Sequence, residues 1–461
     1  MFIANNLSIN SKGNLTFANM DTIELAEKYK TPLYLMDEDK IRKKCRAFKN
    51  AVKRYFDSAD ILYASKAAAF VRMYEIVNEE NLCLDVVSGG ELYTAIHAGF
   101  PTEKIYFHGN NKSIAEIEYA IESGIGYFIV DNLYELEYVD KIASEKNIKQ
   151  KILLRTTPNI DPHTFEAVST GKIDSKFGFA IETGQAEEAV RKAISCKNIE
   201  LSGYHCHIGS QVFDNNLFSD SARVMFDFSA QMRSSFGYEP KVMNLGGGFG
   251  IRYIEEDIEV DIDGCIREVS STVNEECSRH NLKMPKILFE PGRSIVGDCG
   301  ITLYTVGNIK IIPEYKKYVA VDGGMSDNPR YALYQSPYTA VIANKADKEK
   351  DFLCTIAGKC CESGDLLGEN MDIQKAKRGD ILAVLVTGAY NYSMASNYKP
   401  LLADIEFGDI LAVFSTGAYN YSMASNYNKI PRPPIVMVSG GKDYVAVKRE
   451  TYEDLIKNEM V

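Results

Sequence analysis

The chain has 461 residues, of which 45% are apolar and 25% charged, and its formal net charge is −11. That length is too great for one ordinary domain and points to two, with the apolar share of a globular chain rather than a disordered one. The acidic balance lacks the basic footprint of a nucleic-acid binder, so no nucleic-acid partner is expected.

No run of about 18 apolar residues occurs, so no membrane span is expected. The ten cysteines form no CxxC pair, which removes zinc-ribbon and thioredoxin motifs. The N-terminal stretch lacks a basic segment followed by an apolar run, so no secretory leader is expected, and a reducing cytoplasm is.

Short apolar runs alternate with amphipathic stretches from about residue 37 to 290. A strand over Ile61–Ala64 is followed by a helix over Ala67–Asn78, then a strand over Leu82–Val87 and a helix over Glu91–Ala98. Further strands are expected at Ile105–Phe107, Tyr127–Val130, Lys151–Arg155, Leu201–Ile208, Val242–Leu245 and Lys286–Phe289. About eight such β–α units in some 250 residues is the size of a (β/α)8 TIM-like barrel, placed at residues 37–293. After residue 294 strand-like runs dominate: Ile301–Val306, Tyr318–Val321, Phe352–Ile356, Ile381–Val386, Ile435–Val438 and Tyr444–Lys448, with a short helix near Thr451–Lys457. Residues 1–36 and 294–461 are therefore read as a second, mainly antiparallel β domain, with Leu33–Met36 joining it.

That domain contains a repeat. Residues 379–398 read GDILAVLVTGAYNYSMASNY and residues 408–427 read GDILAVFSTGAYNYSMASNY, an offset of 29 that makes segments 370–398 and 399–427 a duplication. One repeat does not make a solenoid, so one copy must be accommodated as an extra hairpin or a bulging loop.

Candidate functional residues fall just after the barrel strands, where a barrel gathers its site. Lys66 in YASKA follows the first strand; it is either a solvated lysine opening a helix or a desolvated amine freed to attack an aldehyde. His205 and His207 in HCHIGS share a strand face, as hydrogen-bonded core histidines or, with no third ligand in view, as a weak metal pair; Ser210 and its glycine can bind an oxyanion. Gly246, Gly247 and Gly248 form either a tight turn or an anion nest. In EPGR, Glu290 can pair with a protonated ring nitrogen and Arg293 can grip a carboxylate, or the two form a salt bridge at a domain seam. Arg330 and Tyr334 offer a second carboxylate clamp or a surface turn. In CCESGD, Cys361 is either buried and inert or a proton donor, and Glu362 can bind an ammonium group.

Taken together, YASKAAAF, DVVSGGEL, FHGNNKS, STGKIDSKFGF, YHCHIGSQ, NLGGGFGI, EPGRSIVG, DGGMSDNPRYALY, GKCCESGD and TGAYNYSMASNYN resemble the diaminopimelate decarboxylases, alanine-racemase-like (fold type III) enzymes that use pyridoxal 5′-phosphate. The glycine and EPGR motifs are shared with arginine and ornithine decarboxylases, which stand as the alternative activity; a cofactor-binding protein inactivated by the duplication is another. The resemblance implies decarboxylation of meso-2,6-diaminopimelate to L-lysine, the last step of lysine biosynthesis, in a cytoplasmic homodimer with shared active sites. It implies that Lys66 forms the Schiff base, His207 stacks on the cofactor ring and Glu290 meets the ring nitrogen. Ser210, Gly246, Gly247, Gly248, Gly292 and Arg293 would contact the phosphate. Arg293, Arg330 and Tyr334 would hold the substrate's far carboxylate, and Cys361, as proton donor, and Glu362 would reach across the dimer. The family has one GAY tyrosine near cofactor and substrate; here Tyr390 and Tyr419 both qualify.

Overall fold

The computed structural model describes residues 3–161, 173–395, 425–432, 435–439 and 442–460. Eight parallel strands close into a barrel: Ala59–Ala64, Cys83–Val86, Ile105–Phe107, Tyr127–Val130, Gln150–Thr157, Ile199–His205, Val242–Asn244 and Lys286–Phe289. The last pairs with the first through Ile287 and Ala59, and the fourth and fifth pair through Phe128 and Ile152, so no strand edge stays open between these eight. Helices cover the outside, and the main apolar core lies between them and the strands' outer faces. The helix Glu38–Tyr55 starts where the Asp37 carboxylate accepts from the Lys40 amide. It packs against Ile262–His280, which in turn packs against Asn215–Phe236.

The second sheet is mainly antiparallel, as expected, with one parallel pair between Lys316–Val321 and Phe352–Ala357. Its spine is the 13-residue strand Gly300–Ile312. The first half pairs with Leu33–Met36 and Ile381–Leu385, and the second half with Lys316–Val321. Two strands, Ala340–Ile342 and Leu366–Ile373, have no counterpart in the sequence reading. Among the described residues, no helix is long and apolar enough to cross a membrane.

The helix expected from Ala67 begins only at Val71. A short 3-10 turn, Ser65–Ala67, comes first, and Ala68 is extended. The second domain holds this stretch out of the helix: Tyr390 N–H donates to Ala67 O at 2.6 Å and Ala69 N–H to Ser393 Oγ at 3.2 Å. Both bonds come from the first copy of the repeat. The Asn391–Met394 turn of that copy packs against Tyr427–Lys429, at and just beyond the end of the second copy.

Candidate active site

Alternation along a barrel strand turns every second side chain inward. Leu62, Cys83, Tyr106, Ile129, Leu153, Val242 and Leu288 fill one interior apolar layer. One inward step further toward the strands' C-terminal ends, the same parity brings Ala64, Asp85, His108, Asp131, Arg155, His205, Asn244 and Glu290 to the barrel mouth. All eight are buried. Buried charge is tolerated only when paired, and this ring pairs its own. Glu290 Oε1 accepts from Asn244 Nδ2 at 2.6 Å and lies 2.9 Å from His108 Nε2; Glu290 Oε2 accepts from His205 Nε2 at 3.0 Å. Arg155 Nε lies 3.8 Å from Asp131 Oδ1.

Lys66 faces the cavity above this ring, whose wall it shares with Asp85, His207, Ser210, Gly248, Glu290 and Arg293. Here the structure corrects the expectation of an amine freed by desolvation. Burial alone would push the Lys66 amine down, but Asp85, Tyr390 and Glu290 outweigh it and the net shift is upward. Burial pushes the Asp85 carboxyl up, against the opposing pull of His108 and Lys66. Burial, then Lys66 and Arg155, holds the His207 ring well below its ordinary value, so a neutral imidazole lines the wall.

Packing explains the triple glycine. A Cβ on Gly247 would sit 2.0 Å from Glu290 O, and one on Gly248, whose φ is +110°, 2.3 Å from Gly209 O. The turn is wedged between the His207–Ser210 and Glu290–Arg293 loops, where any side chain would force them apart. Gly246 N–H is spent on Asn244 Oδ1 at 2.9 Å and Gly247 N–H on His207 Nδ1 at 3.3 Å. Gly248 is the member of the trio on the cavity wall; the other two brace it. Gly292 stands beside it, where a Cβ would come within 2.9 Å of Ala64 Cβ.

Arg293 donates through Nε to Ser210 Oγ at 3.2 Å and through Nη1 to Tyr253 Oη at 2.6 Å. Its guanidinium lies 4.6 Å from the Tyr390 ring centroid. Tyr390 is held there in a left-handed backbone conformation, φ +69°, a cost that a tyrosine bears only where the surroundings fix it. Tyr419 lies outside the described residues. A wider cavity of about 500 Å³ opens above, lined by Lys66, Arg155, His207, Arg293, Arg330, Tyr334, Tyr390 and Asn428. Arg330 stacks its guanidinium 3.7 Å from the Tyr253 ring centroid. Its Nε is buried with no hydrogen-bond partner among the described residues.

Cys361 and Glu362 are exposed and line neither cavity. Their turn is braced from within by Asp365, which accepts from Met325 N–H at 2.6 Å and Cys360 N–H at 2.7 Å.

The sequence reading missed Asp85, His108, Asp131, Arg155 and Asn244. The signal was present, since each is the first polar residue two positions beyond an inward apolar residue on a barrel strand. It also missed Glu91, whose carboxylate accepts from Ser65 Oγ, from Val87 N–H at 2.9 Å and from Asn428 Nδ2 at 3.1 Å, fixing the turn that carries Lys66.

The geometry suits an aldehyde cofactor with a phosphate: an amine, a glycine turn with no room for side chains, and a carboxylate with acceptor capacity to spare, all on one cavity. The comparisons agree. Residues 38–297 match the family described as pyridoxal-dependent decarboxylase, pyridoxal binding domain. The chain is 49% identical to the diaminopimelate decarboxylase of Bacillus methanolicus over 98% of each chain. It is 45% identical to that of Bacillus subtilis strain 168, over 99% of this chain and 98% of the relative. The solved diaminopimelate decarboxylase from M. jannaschii, in complex with L-lysine, superposes with a TM-score of 0.78 at 32% identity, covering 100% of this chain and 99% of that one.

Proposed function

The chain belongs to the diaminopimelate decarboxylases, pyridoxal-phosphate-dependent carboxy-lyases that convert meso-2,6-diaminopimelate to L-lysine and CO2, and on that premise we propose how its own residues divide the work. The supporting observation is the shared cavity of Lys66, Gly248 and Glu290, with Arg330 on the wall of the wider cavity above it. The cofactor, when bound, supplies the electron sink that accepts the pair left behind by departing CO2.

Lys66 holds the cofactor through its amine, which must first give up its extra proton. The neutral His207 ring would lie against the cofactor ring, and Glu290 would accept a hydrogen bond from the ring nitrogen. Ser210, Gly248, Gly292 and Arg293 take the phosphate, with Gly246 and Gly247 as braces. Arg330 and Tyr334, with Arg293, take the substrate's distal carboxylate through charge-assisted bonds. The barrel, residues 37–293, carries Lys66, His207, Ser210, the glycines, Glu290 and Arg293, and the second domain, residues 1–36 and 294–461, brings Arg330 and Tyr334.

Cys361 and Glu362 serve the cavity of a second copy in a cytoplasmic homodimer. An exposed turn stiffened by Asp365 suits such a reach. The test is complementation. Lys66→Ala and Cys361→Ala proteins, each inactive alone, are expected to regain activity when mixed and allowed to exchange subunits, because one hybrid cavity then holds both native groups. Mixtures that stay inactive despite exchange overturn this assignment.

Tyr390 is the site tyrosine, supported by its place over Arg293 and its bond to Ala67. Tyr390→Phe is expected to lower kcat about tenfold or more, and Tyr419→Phe to leave it unchanged. Excising residues 396–424 joins Ala395 to Ser425 and restores one intact copy. The shortened protein is expected to keep full activity in a decarboxylation assay; a loss there, or a loss in Tyr419→Phe, reverses the assignment.

A further inference from the structure

We propose that His205 is a positioning residue that, with Asn244 and His108, keeps the Glu290 carboxylate ionised and leaves one acceptor site of its Oε2 open for the cofactor's ring nitrogen. The inference rests on the pyridoxal-phosphate reading above and goes beyond it by assigning a role to residues that do not touch substrate.

An ionised carboxylate offers about four acceptor sites, two on each oxygen. On Glu290, Oε1 takes the Asn244 amide at 2.6 Å and has His108 Nε2 at 2.9 Å, off the line of a good hydrogen bond. Oε2 takes His205 Nε2 at 3.0 Å. That leaves one unused site on Oε2, and Glu290 lies on the wall of the cavity that holds Lys66 and His207.

The tautomer of His205 follows from this contact. A carboxylate only accepts, so Nε2 must carry the hydrogen and Nδ1 is left bare. His205 is 1% exposed, and its Nδ1 has no partner among the described residues. A buried acceptor without a donor is destabilising; the fold bears that cost while Nε2 is committed to Glu290. Burial pushes the His205 ring down to about 4, which keeps it a neutral donor. For Glu290, burial alone would raise the carboxyl, and the two histidines outweigh it and hold it well below its ordinary range.

Remove His205, and Glu290 loses its donor on Oε2, which shifts the balance toward burial even with His108 in place. A Glu290 carboxyl that takes up a proton keeps only a weak, neutral acceptor and no charge to hold a protonated ring nitrogen. A ring nitrogen held there would then lose its own proton, and the electron sink would weaken.

The experiment uses holoenzyme reconstituted with pyridoxal phosphate labelled with 15N in the ring. The ring nitrogen is read by NMR and cofactor affinity by titration, both independent of turnover. In the wild type and in His205→Gln, whose amide can donate to the same oxygen, the nitrogen is expected to read as protonated. In His205→Leu it is expected to move to the unprotonated position, with cofactor Kd raised about tenfold. Should the leucine variant fail to fold, His205→Asn, polar but too short to span the contact, is expected to show the same shift. A nitrogen that stays protonated in the leucine or asparagine variant overturns the inference. A wild type that takes up no cofactor overturns instead the reading on which it rests.

Discussion

Lys66→Ala is expected to reduce decarboxylation by roughly 10³-fold or more, because among the described residues no other amine lines the inner cavity. The alanine variant also removes one of the positive groups that oppose burial at Asp85, leaving His108 at 3.9 Å. Asp85 Oδ1 already lacks a hydrogen-bond partner among the described residues, so some loss of stability is expected as well. Lys66→Arg separates the two effects. A guanidinium keeps the positive charge beside Asp85 but stays protonated and is no nucleophile. The arginine variant should melt within a few degrees of the wild type and still be inactive. Activity in either variant removes Lys66 from the chemistry; a collapsed melting temperature in both makes its role structural.

Arg330→Ala is expected to lower kcat/KM for meso-2,6-diaminopimelate by about 30- to 1000-fold, the range that losing a desolvated charge pair of about 2–4 kcal/mol corresponds to. The reason is the state of its guanidinium. Tyr253 covers one face at 3.7 Å, and Nε is buried with its hydrogen unused. A distal carboxylate satisfies that donor, and a substrate ending in an amine does not. Steady-state kinetics on diaminopimelate and ornithine, with wild type and variant, give the comparison. A large loss on the first substrate and little change on the second support a dicarboxylate site. Equal losses on both point to a general disturbance of the cavity, and preferred turnover of ornithine by the wild type favours the ornithine-type alternative.

How far the sequence carried this picture depends on what kind of signal each element left. The barrel strands were legible because each is a short apolar run bounded by turn residues; Ile105–Phe107, Tyr127–Val130 and Lys286–Phe289 lie where the pattern put them. Glu290 and Lys66 were legible because a charged residue at the end of such a run has few reasons to be there. The rest of the polar ring was hidden by the same burial that makes it work. Asp85 stands inside an apolar run and reads as an interruption until the inward parity of Leu62, Cys83 and their neighbours is known. The charge on Lys66 was misjudged because desolvation is a local property of one residue, whereas the groups that outweigh it come from the second and eighth strands and from the repeat. The delayed start of the helix at Val71 was illegible for a similar reason: it is imposed by Tyr390 and Ser393, more than 300 residues away. The repeat was obvious, yet only a structure could show Tyr390 of the first copy set against Ala67 and Arg293.

The central claim is that one amine, set above a ring of paired buried charges and beside a side-chain-free glycine turn, captures the cofactor. Borohydride reduction of the cofactor-loaded protein, followed by peptide mass spectrometry, tests it directly. The phosphopyridoxyl group is predicted on Lys66 and on no other lysine. Its recovery on Lys112, Lys176 or any other residue, with Lys66 unmodified, would contradict the account.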